Sequence, residues 1–226
     1  MKLLRIGVIG GSIAFGLYFW VANRMLRNEF GQLHRYQEAN KSLTPAPHRI
    51  VFLGDSIIER WDLARCFPGR LYVNRGISGQ TSSQVLLRFE QDVVSLQPET
   101  VVILAGTNDV ARHLEESETE ANYRAMAELA RANRIRVVFA SLLPIHNTFD
   151  SGLVFRRPVE KIKSLNSWIK RYSQANNITY LDFFTPMVDD HGLLKKELSY
   201  DGLHPNDEGY RIMTVLFRGV LDYSAR

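Results

Sequence analysis

Val51-Phe52-Leu53-Gly54-Asp55-Ser56 carries three apolar residues straight into Gly-Asp-Ser, and Ile57-Ile58-Glu59-Arg60-Trp61 follows without a break. That order predicts a short buried strand, a tight turn and the first turn of a helix. A serine at this point sits where backbone N–H groups point outward and favour negative charge. Its hydroxyl is placed to attack a carbonyl, and its own N–H to help hold the resulting oxyanion. The same residues have a plainer use, because Asp55 or Ser56 can simply cap the helix. On its own the stretch leaves both open.

The chain around it alternates. Strand-like runs rich in Val, Ile, Leu and Tyr fall at Ile50–Leu53, Leu71–Val73, Thr100–Leu104, Ile135–Ala140 and Ile178–Leu181. Helical patterns lie between and after them, at Ser82–Leu96, Glu115–Ala132, Val159–Asn176 and Asp207–Tyr223. In the first of these, Val85, Leu86, Phe89, Val93 and Leu96 recur at the spacing of one helix face. Short continuous apolar strands separated by amphipathic helices predict an α/β domain with a parallel sheet covered on both faces. In such open sheets the ligand site lies beyond the carboxyl ends of the strands.

The loops after the strands therefore hold the candidates. Asn74-Arg75-Gly76-Ile77-Ser78-Gly79-Gln80-Thr81 follows the second strand, and its two glycines allow a sharp turn that exposes N–H groups. Taken alone it reads equally as an ordinary βα loop. Ala105-Gly106-Thr107-Asn108-Asp109 follows the third strand, where the Asn108 amide can point at the same spot or serve the turn. The last loop is Tyr200-Asp201-Gly202-Leu203-His204-Pro205. A carboxylate three residues before a histidine can fold back to accept its Nδ1–H, leaving Nε2 to face a serine as general base. His113, His146 and His191 lack such a setting, and neither phosphate-loop nor dinucleotide glycine patterns occur.

Composition limits the alternatives. At 226 residues, 45% hydrophobic and 23% charged, the chain suits one globular α/β domain. The net charge of +4 comes from Lys2, Arg5, Arg24 and Arg27, which leave 24 basic and 24 acidic residues in the remainder. A neutral globular part argues against nucleic acid as a partner. The single Cys66 excludes an intrachain disulfide and a multi-cysteine metal site.

Ile6 to Ala22 is an uncharged, mostly apolar run without a small-residue cleavage signal, and the preferred reading is an uncleaved signal anchor over residues 1–27. Residues 28–48 follow as a linker or helical stalk, closed by Pro45-Ala46-Pro47, and 49–226 are expected to form the globular domain. Basic residues flank both ends of the run, and the default orientation for such an anchor puts the domain on the non-cytoplasmic (periplasmic or extracellular) side.

Together the four loops resemble the GDSL, or SGNH, hydrolase superfamily of serine esterases and lipases, from about Ile50 to about Val220. The blocks are Gly54-Asp55-Ser56 with Ile57 where the family name has Leu, Asn74-Arg75-Gly76-Ile77-Ser78-Gly79, Gly106-Thr107-Asn108-Asp109, and Asp201-Gly202-Leu203-His204-Pro205. The resemblance implies a flavodoxin-like three-layer α/β/α sandwich with a five-stranded parallel sheet in the order 2-1-3-4-5. It also implies Ser56, His204 and Asp201 as catalytic residues, an oxyanion hole from the N–H groups of Ser56 and Gly79 and the Asn108 side chain, and no metal or organic cofactor. Lipid-type acyl esters such as lysophospholipids are the expected substrates; carbohydrate O-acetyl esters of the cell envelope are the alternative. A membrane-anchored binding module without catalysis is the contrasting class. The long segment from Leu142 to Pro158 can receive an acyl chain and, through Arg156 and Arg157, an anionic group, or can be a lid packed on its own core.

Overall fold

The computed structural model describes residues 30–44, 46–148, 150 and 152–224. Five strands, β1 (Ile50–Gly54), β2 (Tyr72–Gly76), β3 (Thr100–Leu104), β4 (Arg136–Ala140) and β5 (Thr179–Leu181), form one sheet. All neighbours are parallel, in the order β2-β1-β3-β4-β5. The strand at the centre of the argument is flanked on both sides: Gly54 pairs with Gly76 of β2 and with Leu104 of β3. Every residue of β1 and β3 is buried, as expected for strands covered on both faces.

Aromatic side chains fill both layers. On one face Phe52 packs against Trp61, Phe67, Tyr72 and Phe217, with ring centroids 4.9–6.2 Å apart. Phe217 belongs to the long C-terminal helix, Asp207–Ser224. On the other face Tyr123, Phe139, Trp168 and Tyr172 make a second stack, from the helices Glu116–Ala132 and Val159–Ala175 and from β4. The register explains the division: Phe52 is level with Val102 and Val138, so Phe139 points to the opposite side of the sheet.

Two expected elements differ in detail. Strand β2 starts after Leu71, which is exposed, and runs on through Asn74 and Arg75, polar residues that look like loop in the sequence. The Asn74 amide donates to the carbonyls of Ile58 (2.5 Å) and Trp61 (3.0 Å), which lets a polar residue occupy the strand. The expected helix Ser82–Leu96 is interrupted into Ser82–Leu87, Phe89–Asp92 and a 3-10 turn at Val94–Leu96. The first break falls at Arg88, whose backbone leaves helical geometry (φ −99°, ψ 6°) and whose side chain is turned fully into the interior.

Residues 30–44, expected as linker or stalk, lie against the domain and include a short helix, Gln37–Lys41. The segment after β4 buries Leu142, Leu143, Ile145 and Leu153 and leaves Phe155 80% exposed. The expected anchor lies outside the described residues; among those described, no helix is long and apolar enough to cross a membrane.

Close backbone approaches set a testable limit on the fold. A Cβ at Gly76 would lie 2.0 Å from the Glu59 nitrogen, whereas one at Gly219, in the C-terminal helix, meets nothing within 4 Å. Urea unfolding is expected to show Gly76→Ala destabilised by about 3 kcal/mol, as for severe overpacking. Gly219→Ala is expected to gain about 0.5–1 kcal/mol from the lower helix cost of alanine. Equal effects at the two positions would contradict the packing described.

Candidate active site

The first turn after β1 is a helix, Ser56–Glu59, with Asp55 as its N-cap. Asp55 Oδ1 accepts the Ile57 N–H at 2.9 Å. Ser56 is the first helical residue, so its own N–H lies among the amides that a helix cannot satisfy internally. The sheet register sets this N-terminus at the carboxyl edge of β1, next to the ends of β2 and β3.

His204 arrives from the far end of the chain. Its Nε2 is 2.9 Å from Ser56 Oγ and its Nδ1 is 2.6 Å from Asp201 Oδ2. A carboxylate only accepts, so Nδ1 carries the proton and Nε2 accepts the Ser56 hydroxyl. The other oxygen, Asp201 Oδ1, accepts the N–H groups of Leu203 (2.9 Å) and His204 (2.8 Å), which folds the loop back on itself. Burial pushes the Asp201 carboxyl up, but the His204 ring and these backbone donors outweigh it and hold the group at about 2. Asp201 is therefore ionised at neutral pH.

The loop owes its shape to Gly202, with φ +85°, where a Cβ would lie 2.2 Å from the His146 carbonyl oxygen. The His146 N–H donates to the Gly202 carbonyl at 2.8 Å. Ser199 Oγ donates to the His204 carbonyl (2.7 Å) and accepts the Gly202 N–H (2.9 Å). Neither His146 nor Ser199 stands out in the sequence; their role is to floor and brace the Asp201–His204 turn.

Gly79 has φ +78°, and no acceptor among the described residues takes its N–H. Asn108 lies in the helix Thr107–Ala111, and its Nδ2 donates to the Gln80 carbonyl at 3.0 Å, which fixes the amide and leaves its second hydrogen without an acceptor among the described residues. Asp109, buried, accepts the Ser82 N–H at 2.8 Å and the Thr119 hydroxyl at 3.1 Å, and so joins this helix to the loop bearing Gly79. The sequence offered Asp109 only as a turn residue. Ser56, Gly79, Asn108, Asp201 and His204 thus come from four separate loops, all at the carboxyl edge of the sheet. Among the described residues no cluster of three or more His, Cys, Asp or Glu is placed to hold a metal ion.

An α/β/α sandwich with a serine, a histidine and a carboxylate in hydrogen-bonded series at its strand ends is an arrangement capable of nucleophilic acyl transfer. Residues 52–212 match the GDSL-like Lipase/Acylhydrolase family, and the chain belongs to that family. It is a carboxylic ester hydrolase by that membership. A GDSL-like lipase from Bacteroides thetaiotaomicron is 39% identical with a TM-score of 0.79, covering 86% of this chain and 99% of that one. A candidate acylhydrolase from Bacteroides fragilis is 37% identical with a TM-score of 0.80, covering 87% and 98%. The acetylxylan esterase of Geobacillus stearothermophilus is 25% identical over 158 residues, 64% of this chain and 69% of that protein. The N-acylneuraminate cytidylyltransferase of Escherichia coli O18:K1:H7 is 24% identical over 195 residues, and this chain spans 44% of its length.

Asp55 contrasts with Asp201. Burial pushes its carboxyl up to about 7, opposed by the Ile57 N–H and the charge of Arg157 and reinforced by Asp109. Its Oδ2 is buried without a hydrogen-bond partner among the described residues. An unfolded aspartate titrates near 3.9. Between about 4 and 7 the folded protein then binds more protons than the unfolded chain, so stability falls as pH rises through that window. Asp55→Asn keeps an acceptor for Ile57 and removes the charge. Its melting temperature is expected to sit within about 2 °C of wild type near pH 4 and roughly 8–15 °C above it at pH 8. A difference independent of pH would show that Asp55 is ionised in the folded protein.

Proposed function

We propose that this protein hydrolyses acyl esters through Ser56, His204 and Asp201, with the N–H groups of Ser56 and Gly79 and the Asn108 amide as oxyanion hole. The observation that carries the reading is the unbroken series from Asp201 through His204 to Ser56 Oγ, with contacts of 2.6 and 2.9 Å. Ser56 Oγ attacks the acyl carbon while His204 Nε2 takes its proton. The tetrahedral oxyanion is held by the N–H groups of Ser56 and Gly79 and by the Asn108 amide. Collapse expels the alcohol oxygen, to which His204 returns the proton. Water, activated by the same imidazole, then releases the acid. Asp201 stays ionised and stabilises the imidazolium in both halves.

For the acyl group, the burial of Leu142, Leu143, Ile145 and Leu153 supports the lid packed on its own core and leaves those side chains no vacant apolar face for a long chain. A short acyl group is then the better fit, and the likeness to an acetylxylan esterase points the same way. Lipid-type esters such as lysophospholipids keep one structural observation, the exposed Phe155, together with the apolar run Ile6–Ala22 read as a membrane anchor. That anchor would place the domain on the non-cytoplasmic side.

Hydrolysis of p-nitrophenyl esters from acetate to palmitate tests both parts. Activity is expected to vanish in Ser56→Ala and to fall about 10²–10³-fold in kcat in Asn108→Ala. Activity persisting in Ser56→Ala would refute the mechanism. A maximum at acetate supports deacylation of short esters, and a maximum at long chains the lipid reading. Membrane fractionation of the full chain checks the anchor, which is expected to resist extraction by high salt.

A further inference from the structure

The segment preceding β1 does more than connect. Between residues 30 and 41 it is fastened to the loop Gly76–Thr81, the loop that carries Gly79. At the loop's start the Tyr36 hydroxyl donates to the Gly76 carbonyl, and Arg75 lies over the Tyr36 ring at 4.6 Å. In its middle the Ser78 N–H donates to Glu59 at 2.9 Å, and Glu59 is paired with Arg35 at 3.2 Å. At its end the fully buried Gln80 side chain donates to the Gly31 carbonyl at 2.9 Å. Gln84 and Gln91, from the helical stretch that follows, donate to the Phe30 and Leu33 carbonyls at 2.7 and 2.5 Å. Asn40 closes the contact, donating to Asp92 at 2.8 Å and accepting from Arg75 at 2.8 Å.

Gln80 is where these contacts meet the proposed catalytic groups. Its Oε1 accepts from Arg88 Nε at 2.6 Å, and the same guanidinium donates to the Gly54 carbonyl at 2.8 Å and pairs with Asp92 at 3.0 Å. Its backbone carbonyl is the acceptor that orients Asn108. One buried side chain therefore ties the residues before the domain to the turn before Ser56, and its own backbone ties them to Asn108 and to the neighbouring Gly79. A buried guanidinium requires this many acceptors, because an unmatched charge there costs far more than the pair returns. Such a network holds its members in one arrangement.

We propose that residues 30–41 are a strap that positions the oxyanion loop, and that Gln80 is the positioning residue through which it acts. The catalytic half of this rests on the esterase reading above. The strap fixes both ends of the Gly76–Thr81 loop, and the free Gly79 N–H lies between the fixed points. Loosening either end moves that donor by fractions of an ångström, which matters for a transition-state contact and little for ground-state binding.

The test uses the full chain in two variants, Gln80→Leu and the milder strap variant Tyr36→Phe/Asn40→Ala. On p-nitrophenyl acetate, kcat is expected to fall about 10–100-fold in Gln80→Leu and several-fold in the strap variant, with KM within about twofold of wild type. End-point titration with a fluorophosphonate is expected to count the same fraction of reactive Ser56 in every protein. A loss of kcat matched by an equal loss of titratable sites would reveal only partial unfolding and overturn the positioning role, as would an unchanged kcat. Hydrogen exchange needs no substrate and separates the strap from the esterase reading. Amides of Ser78–Ser82 are expected to exchange about tenfold faster in the strap variant, with β1 and β3 unchanged. Unaltered exchange there would refute the strap even if the enzyme reading stands. A wild type inert to both ester and fluorophosphonate would refute the esterase reading and with it the catalytic half of the proposal.

Discussion

The structure depends on a close approach of backbones at the carboxyl end of β1. A Cβ on Gly54 would lie 2.2 Å from the Leu104 carbonyl oxygen, and one on Gly76 would overlap the backbone of Glu59. Only with both positions bare can β1 end between β2 and β3 and turn at once into the helix Ser56–Glu59. That turn sets the serine on the crest of the sheet with the helix amides opening outward. The loops after β2 and β3 are then brought to the same edge by the register of a parallel sheet, which aligns Gly54, Gly76 and Leu104 in one row. The common edge on which Ser56, Gly79 and Asn108 lie is thus a consequence of strand pairing, and each loop has only to supply one or two groups.

Two carboxylates beside the reacting groups show how burial and donors divide similar residues into different states. Asp201 is partly exposed and receives three N–H groups, so the anion is the stable form. Asp55 is sealed in, receives one amide from Ile57, and is pushed toward its neutral form. The difference suits their positions. In the proposed mechanism a charge on Asp201 orients His204 and balances the imidazolium, while a charge on Asp55, next in sequence to Ser56, would oppose the negative oxygen formed on the substrate.

The architecture was largely legible because it rests on period and punctuation. Continuous apolar runs gave the strands, amphipathic spacing the covering helices, and the GDS, SG, TND and D-x-x-H blocks the residues that the fold gathers. What the sequence hid is of another kind. Arg88 and Asn74 are polar residues that periodicity assigns to a helix surface and a loop, yet both are turned toward backbone carbonyls brought near only by tertiary structure. Asp109, Ser199 and His146 have the same character: their partners lie 27 residues away or across a glycine with φ +85°. Residues 30–44 look like a polar tether because three glutamines and a tyrosine carry the docking, and hydrogen bonds to backbone carbonyls leave no apolar signature.

That distribution of legible and hidden residues follows the division of labour in the site. The groups at the edge of the sheet are held by strands whose pattern any apolar core would impose. The groups that set their angles to within a hydrogen bond are held by buried polar contacts, and these are specified pair by pair. Arg88 shows the physical reason. Its guanidinium is fully buried, and desolvation lowers its affinity for the proton, so the site pays for it in stability unless Asp92, Gln80 and the Gly54 carbonyl are all in place. A residue with that cost does not tolerate alternative arrangements of its partners. The rigidity of the turn before Ser56 and that of the loop bearing Gly79 are therefore one property, fixed by the same cation.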